Sequence, residues 1–340
     1  RAIGASGWTS WSRHAMTANP AGLPCALGLD VGGTGARWML LDASGTLASG
    51  VEAGFSGARM HTDAGRAEVR ARLSRISQMV TEQAPGRRIL GLVAGVTGVG
   101  SGSADMVAML AAAFAAPEAG VRVVSDVEIA YRAAFAPGEG YLVYAGTGSI
   151  AAFIDAQGVL HRAGGRGVAL DDAGGGYWIA REALRRLWRR EDERPGAWRE
   201  SPLARQLFPI VGGDSSINAA RFLMERDRGD IGMLAIAVAA CAGSDTDADT
   251  DEIASAIMID AGAELARLAN AMLARYGLRP IVVAGRAAQL HRLIEVGMRS
   301  HIAVEAQLTF RHLESHRAAA AMALQIAALN SQPPSTENRT

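Results

Sequence analysis

The chain has 340 residues, of which 49% are hydrophobic and 20% charged, a composition typical of a globular protein long enough for two domains. Its 34 basic residues, all arginine, balance 34 acidic residues. The formal net charge of zero predicts neither nucleic acid nor an anionic membrane as a partner. Because lysine is absent, P-loop nucleotide binding and Schiff-base catalysis are excluded.

The two cysteines, Cys25 and Cys241, are far apart and have no partner at disulfide or zinc-ligand spacing. They favour a reducing compartment, and we expect a cytoplasmic protein. No apolar run reaches the ~18 residues that a membrane span needs. Residues 1–24 are rich in small polar residues and predict a flexible leader, and the polar residues 330–340 predict a flexible tail.

Residues 25–137 predict a first domain of the type β-β-β-α-β-α-β-α. The signals are period-two or short apolar runs for strands and apolar residues at helical spacing for helices. In chain order the predicted elements are the strands Ala26–Val31, Arg37–Asp42 and Leu47–Glu52, the helix Arg66–Gln83, the strand Arg88–Ala94, the helix Ala104–Ala115, the strand Val121–Val124 and the helix Asp126–Phe135.

Pro137–Gly140 is a turn signal after which the pattern starts again, so we expect a second domain over 138–312. It opens with the strands Tyr141–Ala145, Ser149–Ile154 and Val159–Arg162, continues with the helices Ala173–Arg190, Leu203–Phe208, Ser216–Arg228, Ile231–Cys241 and Ile253–Tyr276, and closes with the strand Pro280–Ala284, the helix Ala288–Met298 and the strand Ile302–Glu305. A last helix, 313–329, is assigned to the first domain.

The acidic stretch Ser244–Glu252 suggests calcium, but it lacks the glycine at loop position six and the final glutamate of a calcium loop. We predict instead an acidic loop whose last residues cap the helix that follows, since acids at a helix N-terminus suit its dipole.

Glycine turns follow three of the predicted strands. The first strand ends at Asp30 and is followed by Gly32, Gly33 and Thr34. Glycines let backbone N–H groups approach a phosphate, and a neighbouring carboxylate can hold Mg²⁺. A second turn lies at Gly146–Ser149 and a third at Gly285–Arg286, while Asp126 opens a helix after a strand. Two repeats facing each other across a cleft bring all four sites together.

This combination resembles the superfamily of sugar kinases, actin and heat-shock chaperone ATPases, and within it the BadF/BadG/BcrA/BcrD ATPase family, in its N-acetylglucosamine and glucosamine kinase branch. The motifs that carry the resemblance are LGLDVGGTGAR at Leu27–Arg37, SDVEIAYRAA at Ser125–Ala134, YAGTGSIAAF at Tyr144–Phe153, AGGRGVALDDAGGGYWIAREAL at Ala163–Leu184 and VVAGRAA at Val282–Ala288. The resemblance implies an α/β fold of two ribonuclease H-like, actin-like ATPase domains with a central cleft.

The resemblance also implies roles for individual residues. Asp126 is expected to be the catalytic base, and Asp30 to position Mg²⁺. ATP is expected to contact Gly32, Gly33, Thr34, Arg37, Gly146, Thr147 and Gly148 with its phosphates, and Gly285 and Arg286 near its nucleoside. The sugar is expected near Ser149, Gly164, Gly165 and Asp172. Asp126 is also a good helix N-cap, and the two roles are compatible.

The chain departs from the family pattern at several of these positions. The family glutamate of G-D-E-G-S is replaced by Ala173, and Asp171 replaces a glycine. Ile150 stands where eukaryotic relatives often have asparagine, and Arg286 replaces the second glycine of the adenosine motif. The sugar contacts are therefore expected to differ, and Arg286 is expected either to stack on adenine or to obstruct its pocket.

The function that these motifs favour is ATP-dependent, Mg²⁺-assisted phosphorylation of the 6-hydroxyl of N-acetylglucosamine or glucosamine, with sugar and ATP as partners and a homodimer left open. Two alternatives remain at this stage. One is an ATP-driven activator with an iron–sulfur cluster, which needs paired cysteines at a dimer interface. The other is a sugar-binding relative without catalysis; no helix-turn-helix pattern precedes Ala26 to suggest a DNA-binding regulator.

Overall fold

The computed structural model of the chain describes residues 22–100, 103–243, 250–303 and 305–331. Two five-stranded mixed sheets lie at its centre. The strands are β1 (Leu23–Val31), β2 (Gly35–Asp42), β3 (Gly45–Ala53), β4 (Arg87–Val96) and β5 (Val121–Val124) in the first sheet, and β6 (Tyr141–Ala145), β7 (Ser149–Ile154), β8 (Leu160–Gly164), β9 (Ile281–Ala284) and β10 (Leu308–Phe310) in the second.

Both sheets have the same strand order. The first reads β3-β2-β1-β4-β5 and the second reads β8-β7-β6-β9-β10, so each has an antiparallel meander of three strands joined to two parallel strands. The repeat that the sequence predicted at the level of architecture is therefore confirmed. The carboxyl ends of β1 and β4 share one edge of the first sheet, and those of β6 and β9 share one edge of the second.

Ten α-helices occur among the described residues. They are α1 (Asp63–Gln83), α2 (Ser103–Phe114), α3 (Asp126–Ala134), α4 (Gly176–Glu193), α5 (Pro202–Val211), α6 (Ser216–Glu225), α7 (Arg228–Cys241), α8 (Glu252–Tyr276), α9 (Arg292–His301) and α10 (Ser315–Asn330). The chain adds three-residue to five-residue 3-10 turns at Gly57–His61, Glu118–Gly120, Ala197–Glu200 and Ala287–Gln289. None of the helices in the described ranges is long and apolar enough to cross a membrane.

The last helix, α10, packs on the first sheet although it follows the last strand of the second. It covers β1 and β4, where Gly28 and Gly91 face it. A Cβ at Gly28 would lie closer than 3.0 Å to the backbone of Ala320, and one at Gly91 would lie equally close to Ala323. The two glycines therefore let an alanine-rich helix lie directly on the backbone of the sheet.

Near the end of the chain one predicted strand was wrong and one predicted helix begins later than expected. Residues 302, 303 and 305 form no strand: the N–H of Ile302 bonds to the carbonyl of Met298 and ends α9, and residue 304 lies outside the described residues. The fifth strand of the second sheet is β10 instead, at only three residues. The helix predicted from Ala288 begins at Arg292, because His291 caps it by accepting a hydrogen bond from the N–H of Leu293.

The termini and the acidic stretch are described in part. β1 begins at Leu23, within the predicted leader, whose residues 1–21 lie outside the described part of the chain, as do residues 332–340 of the predicted tail. Residues 244–249 of the acidic stretch also lie outside it. The predicted cap is confirmed, since the buried Asp251 accepts hydrogen bonds from the N–H groups of Ile253 and Ala254 at the start of α8.

Candidate functional site

Two carboxylates meet at the carboxyl edge of the first sheet. Asp30 lies near the end of β1 and pairs in register with Gly95 on β4. A Cβ at Gly95 would come within 2.6 Å of the side chain of Ile129 and within 3.5 Å of the Cα of Asp126. The missing side chain thus lets the first turn of α3 rest on the sheet. It brings Asp126 beside Asp30.

The surroundings of both carboxyls favour their neutral forms. Burial and then the charge of Asp126 raise the pKa of Asp30 to about 6, while Arg37, its register partner on β2, opposes the shift. Burial also raises the pKa of Asp126, against hydrogen bonds from the N–H of Val127 at 2.9 Å and from the side chain of Thr97. Paired carboxyls with raised pKa values are typical of sites that bind cations or transfer protons.

Thr97 is a site residue that the sequence analysis missed. It follows the end of β4, and its own N–H bonds to the carbonyl of Val31 at 2.9 Å, which ties the ends of β1 and β4 together. Its position just after a buried parallel strand and before Gly98 was a usable signal, because the carboxyl ends of neighbouring parallel strands meet at one edge.

The first glycine turn joins β1 to β2. The N–H of Gly32 bonds to the carbonyl of Gly35 at 2.9 Å, and a Cβ at Gly33 would meet nothing within 4 Å. Behind the turn lies Gly54, where a Cβ would come closer than 3.0 Å to the carbonyl of Gly32. The turn is therefore held from the back and open at Gly33, with Thr34 at its tip.

The second glycine turn joins β6 to β7. The N–H of Gly146 bonds to the carbonyl of Gly148 at 2.9 Å, and the N–H groups of Gly176 and Tyr177 bond to the carbonyls of Gly146 and Thr147 at 2.8 and 3.0 Å. These bonds fix the turn on the start of α4. Its carbonyls therefore point into the protein.

The third glycine lies against the second turn. Gly285 has a φ of +98°, and a Cβ there would collide with the backbone of Ala145. Both the positive φ and the close contact require glycine at this position. The turn after β9 is thereby held next to the one after β6.

The predicted sugar loop is attached to the second glycine turn through buried polar groups. Ser149 is 4% exposed, and its hydroxyl donates to the carbonyl of Ala173 at 2.6 Å. Asp172, with a φ of +54°, accepts a hydrogen bond from the N–H of Gly167 at 3.0 Å. Its second carboxylate oxygen lies against Gly148, where a Cβ would clash with it. Burial raises the pKa of Asp172.

Gly164 and Gly165 both have positive φ, at +72° and +63°. The N–H of Gly165 bonds to the carbonyl of Ser149 at 2.9 Å. Added Cβ atoms would meet the side chains of Leu268 and Ile150. These two glycines therefore let the chain turn from β8 into the loop, and Ser149 holds the loop through hydrogen bonds to its backbone.

Groups from the second half reach the first glycine turn. Arg286 donates a hydrogen bond to Oγ1 of Thr34 at 3.0 Å. Gly229, in the first turn of α7, also lies on Thr34, since a Cβ there would come within 2.8 Å of its methyl group. The predicted phosphate and nucleoside residues of the two halves thus meet at Thr34.

Tyr144, near the end of β6, was not singled out from the sequence. Burial, followed by the charges of Asp30 and Asp126, raises its pKa to about 12, while Arg286 and Arg37 oppose the shift. It therefore lies within electrostatic range of both carboxyls although it belongs to the other sheet. Only the packing of the two halves, which local sequence does not encode, reveals this position.

The residues present suit a Mg²⁺ ion better than an iron–sulfur cluster. Among the described residues no three His, Cys, Asp or Glu side chains form a metal cluster, so a Mg²⁺ ion would rely on Asp30, phosphate oxygens and water, as Mg²⁺ commonly does. Cys25 and Cys241 are both buried, and burial raises the pKa of the Cys25 thiol to about 11. Buried thiols in different halves do not fit a cluster shared between two subunits.

Comparisons with known proteins agree on the fold. The model of the BadF/BadG/BcrA/BcrD ATPase family matches residues 27–303. A proposed N-acetylglucosamine kinase from Chromobacterium violaceum superposes with a TM-score of 0.68 at 23% identity, over 88% of this chain and 99% of its own. A proposed N-acetylglucosamine kinase from Porphyromonas gingivalis gives 0.68 at 17% identity, over 88% and 98%.

A third structure is a ROK family glucokinase from Streptomyces griseus, in complex with glucose and AMPPNP. It superposes with a TM-score of 0.55 at 15% identity, over 90% of this chain and 99% of its own. No curated protein matches the sequence. The predicted two-domain actin-like ATPase fold is confirmed by these comparisons.

Proposed function

The chain belongs to the BadF/BadG/BcrA/BcrD ATPase family, and on that premise we propose that it is an ATP-dependent kinase acting on the 6-hydroxyl of an amino sugar, N-acetylglucosamine or glucosamine. The observation that carries the proposal is the pair Asp30 and Asp126, at the sheet edge beside Gly95 and within electrostatic range of Tyr144 from the other half. A carboxyl pair beside the first glycine turn, within electrostatic range of the strand that leads into the second, suits in-line phosphoryl transfer.

In the proposed reaction Asp126 is the general base. Its ionised carboxylate accepts the proton of the sugar hydroxyl as that oxygen forms a bond to the γ-phosphorus, and the bond from phosphorus to the β-phosphate oxygen breaks to release ADP. Burial makes this carboxylate more basic, and the hydrogen bond from Thr97 favours its ionised form and fixes its direction. Asp30 would hold a bound Mg²⁺ ion, which would supply positive charge to the phosphates.

The remaining residues bind and orient the substrates. Gly32, Gly33 and Thr34, supported by Arg37, contact the phosphates from the first half, and Gly146, Thr147 and Gly148 contact them from the second. Gly285 and Arg286 complete the nucleotide site. Asp172 uses its oxygen next to Gly148 to accept a hydrogen bond from a sugar hydroxyl, in a loop shaped by Gly164, Gly165 and Ser149.

Because of the departures from the family pattern, the contacts in the proposed sugar loop differ from those expected in relatives. Asp171 pairs with Arg267 on α8 at 3.0 Å and accepts a hydrogen bond from the N–H of Ala173 at 3.3 Å. The usual glutamate has no counterpart here, because Ala173 occupies its place. We propose that residues of this loop recognise the amide or amine at C2 of the sugar.

The experiment is a panel of ATP consumption with N-acetylglucosamine, glucosamine, N-acetylmuramic acid and glucose. We expect turnover with one of the first two, and Asp126→Asn to lower kcat by about 10²- to 10⁴-fold while AMPPNP affinity stays within about twofold. The exposed Asp105 on α2 provides the matched control Asp105→Asn, with unchanged kcat. Unchanged turnover in Asp126→Asn, or sugar binding without any ATP consumption, would contradict the proposal.

A further inference from the structure

Arg286 stands at an unusual place for a positive charge. It follows Gly285 at the end of β9 in the second half, and its backbone lies in the right-handed helical region at the start of the 3-10 turn Ala287–Gln289. Its guanidinium extends to the first half and donates to Oγ1 of Thr34 at 3.0 Å. The side chain therefore points toward the tip of the first glycine turn.

The charges around this guanidinium define one cluster. Tyr144 experiences the charges of Asp30, Asp126, Arg286 and Arg37, so all four groups lie within electrostatic range of this one side chain. In this cluster the two arginines balance the two carboxylates. A nucleotide phosphate arriving between the glycine turns adds further negative charge, which this cluster must offset.

The sequence supplies few groups for that purpose. The chain has no lysine, so the cation that many phosphate sites take from lysine must come from arginine, Mg²⁺ or backbone N–H groups. A guanidinium presents five N–H donors in a planar fork, and one bond to Thr34 leaves the others available. Arg37 faces Asp30 in the sheet register, and its charge acts on that carboxylate.

We infer that Arg286 is a phosphate-binding residue that reaches from the second half to the first, and that it contacts the β- and γ-phosphates of the nucleotide rather than its adenine. This inference rests on the proposed kinase function. The guanidinium holds the phosphates against the first glycine turn and closes the gap between the halves at Thr34. As the sugar oxygen bonds to the γ-phosphorus and ADP leaves, the same cation offsets the charge that develops on the departing β-phosphate oxygen.

The test separates the phosphates from the base by using nucleotides of different length. Binding of adenosine, ADP and AMPPNP is measured by calorimetry at fixed Mg²⁺ and without sugar. We expect Arg286→Gln to weaken AMPPNP by about 10- to 100-fold and adenosine by less than about threefold, and Arg286→Lys to recover part of the loss. The control is Arg70→Gln on α1, an exposed arginine outside the cluster, with unchanged affinities.

Three results would overturn the inference. Equal losses for adenosine and AMPPNP would assign Arg286 to the adenine, tighter AMPPNP binding would make it an obstruction, and unchanged binding would remove it from the site. Because Arg286 is exposed, its replacement leaves the core intact, and melting curves of both variants verify this. A wild-type protein that binds AMPPNP but phosphorylates no sugar contradicts the proposed function alone. One without any AMPPNP affinity contradicts both.

Discussion

Replacing Asp30 with asparagine is expected to make the protein more stable at neutral pH but not at acid pH. Burial and the neighbouring Asp126 raise the pKa of Asp30 from 3.8 to about 6, so the folded protein prefers the neutral carboxyl. At 1.36 kcal/mol per pH unit, the ionised form costs the folded state about 3 kcal/mol. The stability that the neutral form contributes is complete below about pH 4 and is lost as the pH rises to 6.

An amide at position 30 stays neutral and does not undergo this loss. About 2 kcal/mol of the total falls between pH 4.5 and 7.5, so the stability of Asp30→Asn relative to wild type should rise by about 2 kcal/mol over that range. If the whole chain unfolds together, this equals about 3 °C in Tm, since its unfolding entropy is about 0.7 kcal/mol/K at the usual value per residue.

The assay is scanning calorimetry of wild type and variants at several pH values from 4.5 to 7.5. Asp155→Asn is a control of opposite sign, because hydrogen bonds from His161 and from the N–H of Val159 lower the pKa of Asp155. That variant should lose stability by a nearly constant amount across this pH range, because the lowered pKa of Asp155 lies below it, and should regain parity only in scans extended to lower pH. A Tm difference between Asp30→Asn and wild type that is constant with pH, or that falls as the pH rises, would refute the reasoning.

Two further predictions follow from contacts of the same half. Thr97→Val removes a hydrogen bond that holds the pKa of Asp126 down, so the acid limb of the profile of kcat against pH should move to higher pH. We expect a severalfold loss of kcat at the acid end and little change at the plateau. An unmoved limb would show that Thr97 does not act on the base. Gly28→Ala puts a Cβ into the backbone of α10 at Ala320 and should lower the free energy of unfolding by about 3 kcal/mol or more. A Cβ at Gly33 meets nothing within 4 Å, so the control Gly33→Ala should lower it by less than about 1 kcal/mol. Equal Tm values for the two variants in thermal unfolding would contradict the close packing.

The sequence predicted elements well where the signal is local. The buried apolar run of β6 and the helical period of α1 both gave bounds within a few residues of those observed. β10 could not be found in this way, because three residues at the sheet edge have no period of their own and depend on pairing with β9. The apolar and acidic residues at 302–305 have the pattern of a strand, but Ile302 ends α9 through the bond from its N–H to the carbonyl of Met298.

The candidate site shows the same division between local and distant information. Asp30 and Asp126 could be singled out because each stands beside a strand end within its own motif. The position of Tyr144 near Asp30 and the direction of Arg286 toward Thr34 could not, since each pair is more than a hundred residues apart in the chain and depends on how the halves pack. The role of Gly95, the small residue between the two carboxyls, becomes clear only when the register of β1 and β4 is known.

The position of α10 has a consequence for biosynthesis. Until residues 315–330 have left the ribosome, the nascent chain carries an uncovered sheet surface at β1 and β4, across Gly28 and Gly91. The half that is translated first can therefore complete its fold only after α10 has been synthesised. Its glycine-lined surface stays exposed to chaperones and proteases while the other half is synthesised.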